Sequence, residues 1–167
     1  FARVSLVNAA RQVGLARAAY EYALGYTQER HAFGKPVAHF QAIAFTLAEL
    51  LMDVDSARWM LWRAAAAFDR AGSGDVEPSW SRLVAEAAVH CNEAAFRAAD
   101  GCVQLLGGAG YIQDHPAEKW LRDTKALALF APPDQLCQMT AAASLLGHEI
   151  NLSLGTELPF GIQPIYT

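Results

Sequence analysis

Three long stretches with apolar residues at helical spacing, each closed by glycine or proline, constrain this chain to an all-α fold. Over about residues 2 to 31, Leu6, Ala10, Val13 and Ala16 recur at helical intervals before Tyr20, Leu24 and Thr27, with no proline between them. In His31-Ala-Phe-Gly-Lys-Pro36, Gly34 and Pro36 then stop the helix and turn the chain back. A second helix is predicted over about 39 to 71, where Leu47, Leu50, Leu51, Val54 and Leu61 form a core-facing stripe that ends at Gly72-Ser-Gly-Asp75. Pro78 opens a third, because a first helical residue tolerates a missing N–H, and Leu83, Ala87, Cys91, Ala94 and Ala98 carry it to about Leu106. Gly107-Gly108-Ala-Gly110 closes it, a shorter helix follows from about Pro116 to Leu129, and a last one from about Pro133 to Glu149. Beyond residue 150, Gly155, Pro159, Gly161 and Pro164 interrupt every regular pattern. No run of alternating β-branched residues competes with these assignments. The predicted fold is an up-down four-helix bundle with an additional short helix over residues 1–150, followed by an irregular tail over 151–167.

At 167 residues, 53% of them hydrophobic, the chain can bury one substantial core. It starts at Phe1 with a helical pattern already under way, from which a cut domain of a longer protein is expected. A net charge of -4 and the lack of any Lys/Arg block argue against a nucleic-acid partner. The longest apolar runs, such as Ala64-Ala-Ala-Ala-Phe68, fall far short of the roughly 20 residues of a membrane span, and no signal-peptide pattern is visible. Cys91, Cys102 and Cys137 are odd in number and have neither CxxC nor zinc spacing, which points to a reducing, cytoplasmic home. Cys91 and Cys102 lie about three helical turns apart, so one apolar face can bury both.

Several constellations carry no chemistry. A di-metal bundle needs Glu-x-x-His pairs on facing helices, and the chain has none. Glu86 and His90 stand four apart and lack matching ligands elsewhere, so they read as a hydrogen-bonded pair. His31, His39, His115 and His148 sit near helix ends, where an imidazole caps carbonyls or meets solvent. No serine or cysteine lies in an elbow motif, which removes a hydrolase triad. Taken alone, Gly107-Gly108-Ala-Gly110 is a helix C-cap; it follows a helix rather than a strand and so fails the dinucleotide fingerprint.

Four blocks in fixed order give that glycine cluster another meaning: Gln28-Glu-Arg-His-Ala-Phe-Gly34 with Gln41 seven residues on, Gln104-Leu-Leu-Gly-Gly-Ala-Gly-Tyr111, Pro116-Ala-Glu-Lys119, and Arg122-Asp-Thr-Lys125. Together they resemble the C-terminal helical domain of the acyl-CoA dehydrogenases over about residues 1 to 150. The resemblance implies FAD as cofactor, bound partly across a subunit interface, with Arg30, Phe33 and Gln41 meeting the flavin nucleotide of a neighbouring subunit. It also implies contact from Gln104, Leu105, Gly107 and Gly108. An arginine suits a pyrophosphate, and glycines let backbone N–H groups approach closely. An acyl-CoA thioester as substrate, a homo- or hetero-oligomer of such subunits, and an electron-accepting flavoprotein follow from the same resemblance. Glu118, Lys119, Arg122, Asp123 and Lys125 read as a structural ion-pair network or a solvated face.

One departure matters most. The family's Glu-Gly-Thr, whose carboxylate removes the substrate α-proton, is here Ala131-Pro132-Pro133. Ala131 cannot accept a proton, and the two prolines carry no N–H. Some members hold the base on the first helix of this domain, at the position matching Val4, which is apolar here and flanked by Arg3 and Ser5. Asp134 is left as a replacement base on a shifted loop, or else as a helix-start cap. No catalytic residue is therefore assigned. Three readings stay open: a dehydrogenase subunit whose base comes from a partner, a monooxygenase-like flavoprotein that needs no α-proton base, and a non-catalytic oligomerisation module.

Overall fold

A computed structural model of the chain describes residues 2–72 and 80–147. Three long helices, α1 (Ala2–Glu29), α2 (Gln41–Gly72) and α3 (Trp80–Leu106), are followed by the one-turn α4 (Gly108–Tyr111) and by two helices of 13 residues each, α5 (Ala117–Leu129) and α6 (Asp134–Leu146). The all-α expectation holds. The fourth position of the bundle is filled by α5 and α6 in succession, both running antiparallel to α3. Ala117 of α5 packs with Cys102, Leu105 and Leu106 near the end of α3, whereas Cys137 of α6 packs with Ala85 and Ala88 near its start.

The differences from the sequence reading are local. α1 stops at Glu29 because the chain enters a two-stranded antiparallel hairpin, β1 (His31–Ala32) with β2 (Lys35–Pro36), which was not expected. Strands of two residues hold no alternation to detect. The glycine cluster ends α3 only at Gly107, and Gly108–Tyr111 resume a helical turn. α6 ends at Leu146, earlier than expected, because Gly147 takes a left-handed φ of 72° and its N–H caps the Ala143 carbonyl. Pro78, His148 and the tail over 151–167 lie outside the described residues.

Burial explains the architecture. On α3 the buried positions run consecutively through Leu83, Val84 and Ala85 and through Ala87 and Ala88, so this helix is the most enclosed, packed by α1, α2, α5 and α6, with Glu93, Arg97, Asp100 and Gln104 left as an exposed stripe. Much of the interface is alanine: Ala16, Ala19 and Ala23 of α1, Ala57, Ala64 and Ala67 of α2, and Ala94, Ala95, Ala98 and Ala99 of α3 are all fully buried. Such small side chains bring helix axes to the near end of the usual 8–10 Å separation.

Polar ties fix the register. Gln12, fully buried on α1, donates to the Thr124 carbonyl of α5 at 3.1 Å. Arg97 of α3 grips Asp53 of α2 through two bonds of 2.7 and 3.0 Å. Asn8 of α1 donates to Asn92 of α3 at 3.4 Å, and Asn92 donates to the Asp134 carboxylate at 2.8 Å, where α6 begins.

The three cysteines are free and wholly buried, as the spacing of Cys91 and Cys102 suggested for those two. Burial pushes the Cys91 and Cys102 thiols up to about 12 and raises that of Cys137, with Asp134 adding to the last. Native protein at pH 7–8 is expected to release no colour with an aromatic disulfide reagent, while denatured protein reacts at all three thiols. Because the folded values lie above the unfolded one, their contribution to stability is complete below pH about 9 and is lost as the pH climbs toward 12. Denaturant titrations over that window are expected to show the decline, and a Cys91→Ala/Cys102→Ala variant to flatten it.

Candidate functional site

Where α1 and α3 end side by side, their termini and the start of α2 enclose a cleft of about 430 Å³. Five of the seven residues singled out from the sequence line it: Arg30, Gln104, Leu105, Gly107 and Gly108. Tyr26, Val37 and Ile43 complete the apolar part of its wall, and nothing in their spacing had marked them. Phe33 and Gln41 are not among its lining residues. Gln41 is exposed at the first position of α2, and Phe33 stands on the hairpin tip.

The backbone holds Arg30 while leaving its charge available. Its N–H donates to the Tyr26 carbonyl at 2.8 Å, continuing the last turn of α1, and its carbonyl accepts the Val37 N–H at 2.8 Å, closing the base of the hairpin. Its guanidinium is exposed, with no acidic partner among the described residues. Arg30 is thus the one charged side chain lining the cleft, suited to an anion.

The hairpin turn is strained in an informative way. Its two central residues, Phe33 and Gly34, have φ of 51° and 82°, the type I′ arrangement. Glycine adopts this freely; phenylalanine does so at a cost of about 1–2 kcal/mol. Phe33 is also 94% exposed, its ring set edge to face with Phe40 at 6.1 Å between centroids. An apolar ring presented to solvent on strained backbone is a feature associated with binding sites rather than with packing.

The glycines separate by role. Gly107 has φ 59° and needs its conformational freedom to end α3. At Gly110 a Cβ would overlap the Val103 carbonyl, so packing requires glycine there. At Gly108 a Cβ would meet no atom within 4 Å and φ is not positive. Neither packing nor backbone explains that residue, and the space beside it opens on the cleft.

A second, smaller cleft of about 250 Å³ brings together Val4 and Val7 of α1 with Phe130 at the end of α5, flanked by Arg3 and Arg11. It joins the two chain segments that sequence comparison had linked to a catalytic base. No carboxylate lines it among the described residues. The Asp134 side chain is engaged by Asn92, inside the α1–α3–α6 network. Arg122 binds Glu118 through bonds of 2.7 and 3.0 Å, which holds the Glu118 carboxyl below the usual range, and Lys119 pairs with Asp123. Lys125 lies over the Phe96 ring at 3.6 Å. Glu86 pairs with Arg82 at 2.6 Å and His90 with Ser56 at 2.9 Å, while His115 meets the Tyr22 hydroxyl at 2.7 Å.

The chain belongs to the acyl-CoA dehydrogenase family: the family profile "Acyl-CoA dehydrogenase, C-terminal domain" matches residues 1–146. Among curated relatives, a probable acyl-CoA dehydrogenase of Mycobacterium tuberculosis, FadE25, is 34% identical over 137 residues, covering 82% of this chain and 34% of its own length. A 3-sulfinopropanoyl-CoA desulfinase of Paraburkholderia xenovorans is 32% identical over 139 residues, 83% of this chain and 34% of its own. Butyryl-CoA dehydrogenase of Megasphaera elsdenii superposes with a TM-score of 0.78 at 30% identity, over 85% of this chain and 36% of that one. The chain thus spans about a third of the length of the relatives it matches. Among the described residues no helix is long and apolar enough to cross a membrane.

Two substitutions separate fold from site. Gly110→Ala is expected to lower unfolding free energy by about 1–3 kcal/mol, and Gly108→Ala to stay within about 0.5 kcal/mol of the parent, measured by denaturant titration. Phe33→Gly relieves the turn, so stability is expected to be unchanged or to rise by up to about 1 kcal/mol.

Proposed function

We propose that this chain is the C-terminal domain of an FAD-dependent acyl-CoA dehydrogenase subunit that lacks its own catalytic base. The observation that carries the reading is the 430 Å³ cleft, where five residues drawn from separate sequence blocks meet around one unpaired guanidinium. Arg30 would hold the cofactor's pyrophosphate, Gln104 and the backbone of Leu105, Gly107 and Gly108 its nucleotide portion, and Phe33 and Gln41 would reach it from the hairpin side. The open space at Gly108 and the unpaired charge at Arg30 both fit such a ligand. The two belong to the cofactor of a neighbouring subunit in this reading, so the working unit is a homo- or hetero-oligomer that passes electrons to a flavoprotein acceptor.

The chemistry that FAD supplies when bound is acceptance of a hydride from the substrate β-carbon. What this chain withholds is the other half. Removal of the α-proton needs a base within hydrogen-bond reach, and the cleft at Val4 and Phe130 presents none. A partner subunit that carries a glutamate at the position of Ala131 restores it. The same cleft, without a carboxylate among the described residues, favours as second reading a monooxygenase-like flavoprotein that needs no α-proton base. A third, a non-catalytic oligomerisation module, leaves the free Arg30 without a task.

An anaerobic titration of the full-length protein with acyl-CoA, followed by flavin absorbance, is expected to bleach the flavin only after co-expression with a base-bearing subunit. Bleaching by the lone protein would reveal a base elsewhere, with Asp134 the first residue to exchange; none in either case moves the assignment to the second or third reading. Ala131→Glu is expected to confer bleaching on the lone protein at least about 10²-fold above the parent rate. Arg30→Ala is expected to lower the flavin retained on purification at unchanged thermal midpoint, whereas the oligomerisation module predicts no change.

A further inference from the structure

We propose that the smaller cleft, between α1 and Phe130, takes an acyl group that ends in a carboxylate, with Arg11 holding the far acid and Arg3 the coenzyme end of the thioester. The inference rests on the acyl-thioester reading and names a substrate class within it. Val4, Val7, Asn8 and Arg11 recur at three- and four-residue steps, so they lie in one row along α1, with Arg3 beside the first of them. The two guanidinium groups therefore mark the two ends of the cleft, about 12 Å apart along the helix at 1.5 Å per residue. Both arginines are exposed, and neither has an acidic partner among the described residues. Other surface arginines differ: Arg17, Arg58, Arg82, Arg97 and Arg122 each hold a carboxylate of their own helix or of a neighbour. Two free cations beside a cleft of valine and phenylalanine suit an anion on an apolar stem, because walls that exclude water strengthen a charge-assisted bond.

Packing sets the direction in which such a ligand lies. α5 runs antiparallel to α1: Ala117 packs with Ala19 and Ala23, and the Thr124 carbonyl accepts the Gln12 amide. Phe130, further along the chain than Thr124, therefore falls toward the Val4 end of the cleft, and so does Ala131. Under the proposed function the reacting carbons lie at that end, and the tail runs along α1 to Arg11. Between the two arginines Asn8 is buried, its Nδ2 donating to Asn92 and its amide oxygen left without a donor. The negative end of that amide dipole repels an anion from the middle of the cleft and leaves the arginine ends as the places where charge is stabilised. A methyl-ended tail meets the valines equally well but leaves the Arg11 charge facing an apolar group, so the cleft prefers the acid.

Calorimetric titration of the full-length protein tests this by comparing adipyl-CoA with hexanoyl-CoA, which has the same carbon length but ends in a methyl group. The acid is expected to bind at least about tenfold more tightly. Arg11→Gln, made in this chain alone, is expected to reduce that preference to within about twofold while leaving hexanoyl-CoA binding unchanged. Arg3→Gln is expected to weaken both thioesters and unesterified CoA by a similar factor, and an Arg3→Gln protein that binds all three as the parent does would overturn the orientation. Both side chains are exposed and unpaired among the described residues, so thermal midpoints are expected to stay at the parent value. Equal binding of the two esters would overturn the carboxylate assignment and leave the thioester reading standing. An Arg11→Gln exchange that weakens both esters alike would do the same, placing Arg11 on the coenzyme phosphates instead. If neither ester binds, the thioester reading itself fails, and this inference with it.

Discussion

The whole domain depends on how closely α3 is approached. A helix packed by four others has to accept close neighbours, and along its middle it does so here by lining the contacts with alanine, cysteine and glycine, with Leu83, Leu105 and Leu106 kept to its two ends. At Gly101 a Cβ would press on the Leu50 methyl groups, so even one added methyl group would force the Leu50 side chain of α2 to move. Close approach also limits which polar groups can be buried. The buried amides among them, Gln12, Asn8 and Asn92, bond to a backbone carbonyl, to one another or to Asp134 across the gaps between helices.

The candidate cofactor cleft is a by-product of that packing. α1 and α3 are held so near each other along their length that their last turns end together, and the departing chains must diverge. One leaves through a strained hairpin, the other through a left-handed glycine. The wall between them is built from apolar side chains of three elements and from the small residues Gly107, Gly108 and Ala109, with Arg30 anchored at the base of the hairpin by its own peptide groups. A rigid frame holding a free charge suits recognition of an extended anion, because little ordering remains to be done on binding.

Periodicity made the long helices legible. Val13, Leu47, Leu50, Val54 and Cys91 fall on the core because each repeats at three- and four-residue steps, and the free cysteines proved as buried as that spacing implied. The hairpin was not legible, since two-residue strands have no pattern and Phe33-Gly34 does not resemble the Asn-Gly turns that announce such loops. Tyr26, Val37 and Ile43 were missed for a related reason. Each is an ordinary apolar residue, and only the meeting of three elements places them at one cleft. Sequence blocks pointed to residues that meet at one end of the bundle, whereas which of them line the cavity, and that Phe33 and Gln41 do not, depends on side-chain direction that linear order does not encode.

The interruption of the fourth rod at Phe130–Pro133 has an evolutionary consequence. Ala131 is neither a core residue nor a cap; the chain simply changes direction there, and the prolines supply the stiffness. A side chain at that half-buried point lies outside the core, so adding or deleting a carboxylate there costs the bundle little. Duplicated genes are then free to drift apart in chemistry while their products continue to fold alike. The domain is built so that reactivity and architecture are inherited separately.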